Sequence, residues 1–194
     1  MKLTLTRPDD WHIHFRDGDA MVLTVPQTAA TMARAVAMPN LKPPVTTTEL
    51  AQAYHKRILS HLPEGSSFEP LMTLYLTDKT TSEEIHRAAD SGVVHAVKVY
   101  PAGATTNSDS GVTDIRGLYP VFKTMAERGL KLLVQGEVTD AKVDIFDREE
   151  KFLGTYLEDI VNSFPTLKVV LEHITTKESV RFVEEGPDNL AATI

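Results

Sequence analysis

The sequence predicts an α/β fold in which repeated βα units build a parallel sheet that curls into a barrel. Two observations carry this. Short apolar runs alternate with amphipathic stretches from end to end of the chain, the pattern of strands linked by crossover helices. Several of the apolar runs also carry one polar, metal-capable side chain near their C-terminal ends, where barrel enzymes gather their chemistry.

Seven strands follow from the pattern: Trp11 to Phe15, Arg34 to Met38, Pro70 to Leu76, Ala96 to Tyr100, Lys131 to Val134, Lys168 to His173 and Leu190 to Ile194. Thr46 and Glu49 have capping-box spacing ahead of a stripe of Leu50, Tyr54, Ile58 and Leu62. A helix starting near Ser82 is closed by Gly92, and another is led in by Asp114 and ends before Gly129. A fourth runs from Arg148 toward Ser163 and is halted by Pro165, and a fifth spans Lys177 to the Gly186-Pro187 pair. No linker interrupts residues 1–194, which read as one domain.

Composition narrows the function. The 194 residues are 42% hydrophobic and 24% charged, ordinary values for a folded domain. A net charge of -7 without a basic stripe argues against nucleic acid as a partner. Absence of cysteine leaves only nitrogen and oxygen ligands for any metal and fits a reducing cytoplasm. No stretch reaches the roughly 20 apolar residues of a membrane span.

The chemistry begins at Asp10-Trp11-His12-Ile13-His14. Side chains alternate along a strand, so His12 and His14 project the same way and can grip one ion together. In Ala96-Val97-Lys98-Val99-Tyr100 the same alternation turns Val97 and Val99 toward covering helices and Lys98 toward the barrel axis. An amine there must be paired, neutral or chemically altered, because desolvating its charge is costly. A neutral amine can take up carbon dioxide to give a two-oxygen carbamate; the plainer alternative is an ion pair with an Asp or Glu. His173 closes Val169-Val170-Leu171-Glu172-His173 and offers a third imidazole, whereas His55, His61, His86 and His95 read as solvent-facing. The polar, glycine-bearing stretch from Pro101 to Val112 follows a strand directly and is either a lid or an ordinary solvated connection.

Asp10 to Gly18, Met38-Pro39-Asn40-Leu41, Val97 to Gly103, Gly136-Glu137-Val138 and Leu171 to Thr175 together resemble the dihydroorotases of the single-domain bacterial and fungal type, within the amidohydrolase superfamily. The resemblance implies a TIM-type (β/α)8 barrel that interconverts N-carbamoyl-L-aspartate and (S)-dihydroorotate in pyrimidine biosynthesis, through a hydroxide bridging two zinc ions. It assigns His12 and His14 to one ion, His173 to the second, and Lys98, as a carbamate, to both. Arg16 and Asn40, with His14, would hold the anionic substrate, and Thr105 and Thr106 match the closing loop.

Two departures accompany it. Gln135 stands where the family has a ligating histidine, which would weaken the second site. The family barrel also continues past Ile194 to an eighth strand bearing the aspartate that serves as general acid and base. The chain is therefore expected to be a fragment, a truncated product or half of a complementing assembly. The competing reading is a catalytically inactive barrel acting as a structural or assembly partner; a hydantoinase-like enzyme is disfavoured by Arg16 and Asn40. A small anionic substrate is the implied partner, with a homodimer as the candidate assembly.

Overall fold

A computed structural model describes residues 2–194. Seven parallel strands lie in strict sequence order, β1 (Asp10–Ile13), β2 (Arg34–Ala37), β3 (Glu69–Tyr75), β4 (Val94–Val99), β5 (Lys131–Val134), β6 (Val169–Leu171) and β7 (Leu190–Ala192). Each overlaps a strand expected from the sequence. Parallel neighbours require a crossover, and helices supply most of them: α1 (Met21–Thr31), α2 (Thr48–Ser60), α3 (Ser82–Asp90), α4 (Tyr119–Arg128), α5 (Arg148–Phe152), α6 (Glu158–Ser163) and α7 (Lys177–Glu184). A π-helical turn at Leu153–Leu157 joins α5 to α6 in one rod.

Local chemistry explains the helix ends. Thr47, Thr81 and Thr176 each accept a backbone N–H from the first turn of α2, α3 and α7, satisfying donors that have no partner within the helix. Gly129 ends α4 at φ +71, a conformation that costs glycine little. The α2 cap is Thr47 rather than Thr46, and its buried stripe is Ala51, Tyr54 and Ile58; Leu50 faces solvent. Helix α1 has no counterpart among the expected helices, because Pro26 sits in its interior.

Alternation along the strands builds two apolar layers. Outward residues such as Val97, Val99, Leu132, Val134 and Leu171 pack beneath the helices in the main core. Val36, Met38, Leu71, Ala96 and Leu133 fill the concave side. Curvature is strong enough for side chains on β1 and just past β6, five strands away, to meet across the interior: His12 Nδ1 lies 3.1 Å from Glu172 Oε1. Among the described residues β1 and β7 do not pair with each other. A groove of about 610 Å³ runs between them, lined in part by Trp11, His12, His173 and Thr193. No helix of the described chain is long and apolar enough to cross a membrane.

Candidate metal centre

The strand C-termini bring most of the expected ligands to one place. His12 and His14 sit one pleat apart and their Nε2 atoms are 3.2 Å from each other. The His173 ring centre is 5.2 Å from that of His12. His173 follows Glu172 directly, and simple alternation would send the two side chains to opposite faces. Its left-handed backbone, at φ 44, breaks that alternation, so that Glu172 reaches His12 while His173 still comes to the same mouth.

Lys98 is fully buried and points inward, as alternation requires. Its ammonium pairs with Glu172, itself buried. Burial drives the Lys98 pKa down, against the opposing attraction of Glu172. For Glu172, burial raises the pKa, but contacts with His12 and Lys98 outweigh it and the carboxyl ends below its usual value.

The His14 pKa is pushed down to about 4, first by burial and then by the neighbouring His12, Arg16 and Lys98, so the ring is a neutral imidazole at physiological pH. His173 is lowered for the same first reason. Ring nitrogens facing one another at 3.2 Å, backed by a carboxylate behind His12, have the donor chemistry of a divalent-cation site. Among the described residues no three His, Asp or Glu side chains are grouped to hold a single ion.

Gln135, just beyond β5, is buried and its amide nitrogen donates to Glu137 Oε1 at 2.8 Å. Asp10 does not join the ligands; its Oδ1 accepts the His12 N–H at 2.9 Å. His95 belongs to β4 instead of preceding it. A register irregularity against β3 falls at this residue, and its imidazole lines the interior cavity instead of facing solvent.

Of the residues that the resemblance assigns to the substrate, Asn40 and Thr106 are brought into contact. Arg16 has φ 63, and its carbonyl accepts from the Tyr54 hydroxyl at 2.8 Å. Asn40 is buried, and its amide Nδ2 donates to the Thr106 carbonyl at 3.0 Å, while its own carbonyl accepts from Asn107 Nδ2 at 3.0 Å. This reciprocal latch ties the Pro101 to Val112 stretch to the end of β2. Inside the stretch the buried Ser108 bonds both the N–H and the carbonyl of Thr105. The segment is thus an ordered strap tied to the end of β2, although Gly103, Thr105, Thr106, Asp109 and Ser110 on it are exposed to solvent. Glu172 is the site residue that sequence reasoning did not single out; its signal was the shared inward face of Val170 and Glu172 opposite a buried amine.

Comparison with known proteins matches residues 9–190 to the amidohydrolase family. A dihydroorotase of Shewanella amazonensis is 62% identical over 192 residues, covering 99% of this chain and 56% of the relative. The crystal structure of dihydroorotase from Campylobacter jejuni superposes with a TM-score of 0.88 at 39% identity, over 97% of this chain and 54% of that one. Dihydroorotase from Saccharomyces cerevisiae, solved with 5-fluoroorotic acid, gives 0.87 at 35% identity, over 96% and 55%. The chain spans about half the length of the relatives it matches.

Proposed function

The chain belongs to the amidohydrolase family, and from that premise we propose that it forms the metal-binding mouth of a dihydroorotase, interconverting N-carbamoyl-L-aspartate and (S)-dihydroorotate in cytoplasmic pyrimidine biosynthesis. The observation that carries the reading is the meeting of His12, His14, His173 and Lys98 at the C-terminal ends of their strands. Identity near 60% to curated dihydroorotases supports the choice of reaction.

His12 and His14 would hold one zinc ion and His173 a second. Lys98, carboxylated on Nζ, would bridge them, with the Gln135 amide oxygen as a weak additional ligand. When bound, the ions supply an activated water and polarise the ring carbonyl. Glu172 stands 3.1 Å behind His12 Nδ1, where ligating histidines commonly keep a carboxylate. Burial of Lys98 favours its uncharged amine, the form that takes up carbon dioxide. Arg16 suits the substrate carboxylate through its guanidinium fork, with Asn40 and His14 beside it. Thr105 and Thr106 belong to the strap that covers the mouth.

The test is turnover by the zinc-loaded chain in bicarbonate buffer, with dihydroorotate and a neutral hydantoin as rival substrates. Hydrolysis of dihydroorotate alone is expected. Zinc binding without turnover of either would favour the inactive structural partner, for which Gln135 is the specific observation.

A further inference from the structure

The turn that follows β1 is held against the preference of its own backbone. Arg16 adopts φ 63 and Gly18 φ 61; glycine takes that conformation freely, whereas an arginine keeps it only where its surroundings impose it. Side chains from two helices impose it. Thr24 of α1 donates its hydroxyl to the Phe15 carbonyl at 3.0 Å, and Phe15 is itself fully buried. Tyr54 of α2, also buried, donates to the Arg16 carbonyl at 2.8 Å. Three residues further along α2, Arg57 grips both carboxylate oxygens of Asp17, at 2.9 and 2.8 Å, while Asp17 also accepts the Gly18 N–H at 3.0 Å. Three consecutive residues are thereby fixed from outside the strand.

Arg16 is the one of the three with chemistry to perform. Its side chain is exposed, so no packing steers it and the backbone decides where its guanidinium fork can reach. A relaxed φ would turn the Cα–Cβ bond, and the fork with it, in another direction. The two clamps on α2 also brace each other, since positions 54 and 57 share a helix face and the Arg57 guanidinium lies 5.3 Å from the centre of the Tyr54 ring. Tyr54 is the stronger of the two, because the Arg57–Asp17 pair is partly exposed and screened by water.

We infer that Tyr54 is a positioning residue for the substrate: its hydroxyl holds the Arg16 carbonyl and so sets the direction in which the Arg16 guanidinium meets the substrate carboxylate. The inference rests on the functional reading above. It gives a recognition task to a side chain that helical periodicity placed only in the core.

Tyr54→Phe removes the hydroxyl and keeps the packed ring. Steady-state kinetics on dihydroorotate are compared for the zinc-loaded wild type and variant. The variant is expected to raise KM about three- to tenfold, the worth of one hydrogen bond. Its kcat should stay within about twofold, because a grip on the carboxylate is made alike in the ground and transition states. An unchanged KM overturns the assignment even if the melting temperature falls, since that pair of results marks a hydroxyl serving the fold alone. A fall in kcat at constant KM overturns it too. Should Tyr54→Phe fail to fold, Arg57→Met carries the test through the Asp17 clamp, with KM expected to rise about two- to fivefold and an unchanged KM overturning the assignment. A wild type that does not turn over dihydroorotate refutes the functional reading and this assignment with it, whereas wild-type turnover with no change in the variant's KM overturns the assignment alone.

Discussion

Two buried carboxylates on this chain behave in opposite ways. Glu84, on α3, accepts the Thr48 N–H and the Thr48 hydroxyl, each at 2.6 Å, and pairs with Arg87. It fastens the start of α2 to α3, and both its oxygens are used. Glu172, inside the sheet, pairs with Lys98 through one oxygen; the other faces His12 Nδ1 at 3.1 Å without an aligned hydrogen bond. A carboxylate whose every lone pair has a neighbour serves the architecture. One held among imidazoles and a buried amine, with bonding capacity unspent, marks a place arranged for something else.

Breaking each site should therefore read out differently. Lys98→Ala carries the largest expected effect: it abolishes dihydroorotate turnover and, by stranding Glu172, costs about 3–5 kcal/mol in denaturant melts. Retained turnover would remove Lys98 from the chemistry. Glu84→Ala should cost less, about 1–3 kcal/mol for the deserted Thr48 donors, with zinc content and turnover unchanged. Its acid response sharpens the contrast. Burial alone would raise the Glu84 carboxyl, yet its bonds to Thr48 and Arg87 hold it below the usual 4.5. The stabilisation is thus complete above about pH 4.5 and is lost as pH falls below that. Urea melts from about pH 6 to about pH 3 should show a steeper loss for wild type than for Glu84→Ala. The smallest effect is expected from Gln135→His, which should raise zinc per chain without altering the melt, since imidazole is the better ligand. Unchanged zinc content would refute the idea that Gln135 weakens the second ion's site.

Much of this was legible in the residues, because strand alternation is local. Val97 and Val99 outward and Lys98 inward follow from period two alone, as does the common face of His12 and His14. What escaped required curvature or distance. The partner of Lys98 could be named only as some acid, because the pairing of Lys98 with Glu172 spans two strands of a curled sheet and that curl is written nowhere in either segment. Likewise, the latch between Asn40 and Thr106 joins positions far apart in the chain. The His173 ring comes to within 5.2 Å of that of His12 although period two argues against it alongside Glu172; the positive φ that reconciles the two has no signal in the sequence. At α2 the run Thr46-Thr47-Thr48 offers three candidate caps, and local chemistry does not choose among them.

Zinc stoichiometry tests the central claim most directly. The chain is purified in zinc and bicarbonate, and metal is counted by mass spectrometry for wild type and for the His12→Asn/His14→Asn double variant. Zinc on the wild type and its loss from the variant is the predicted result; equal zinc on both would contradict the metal centre.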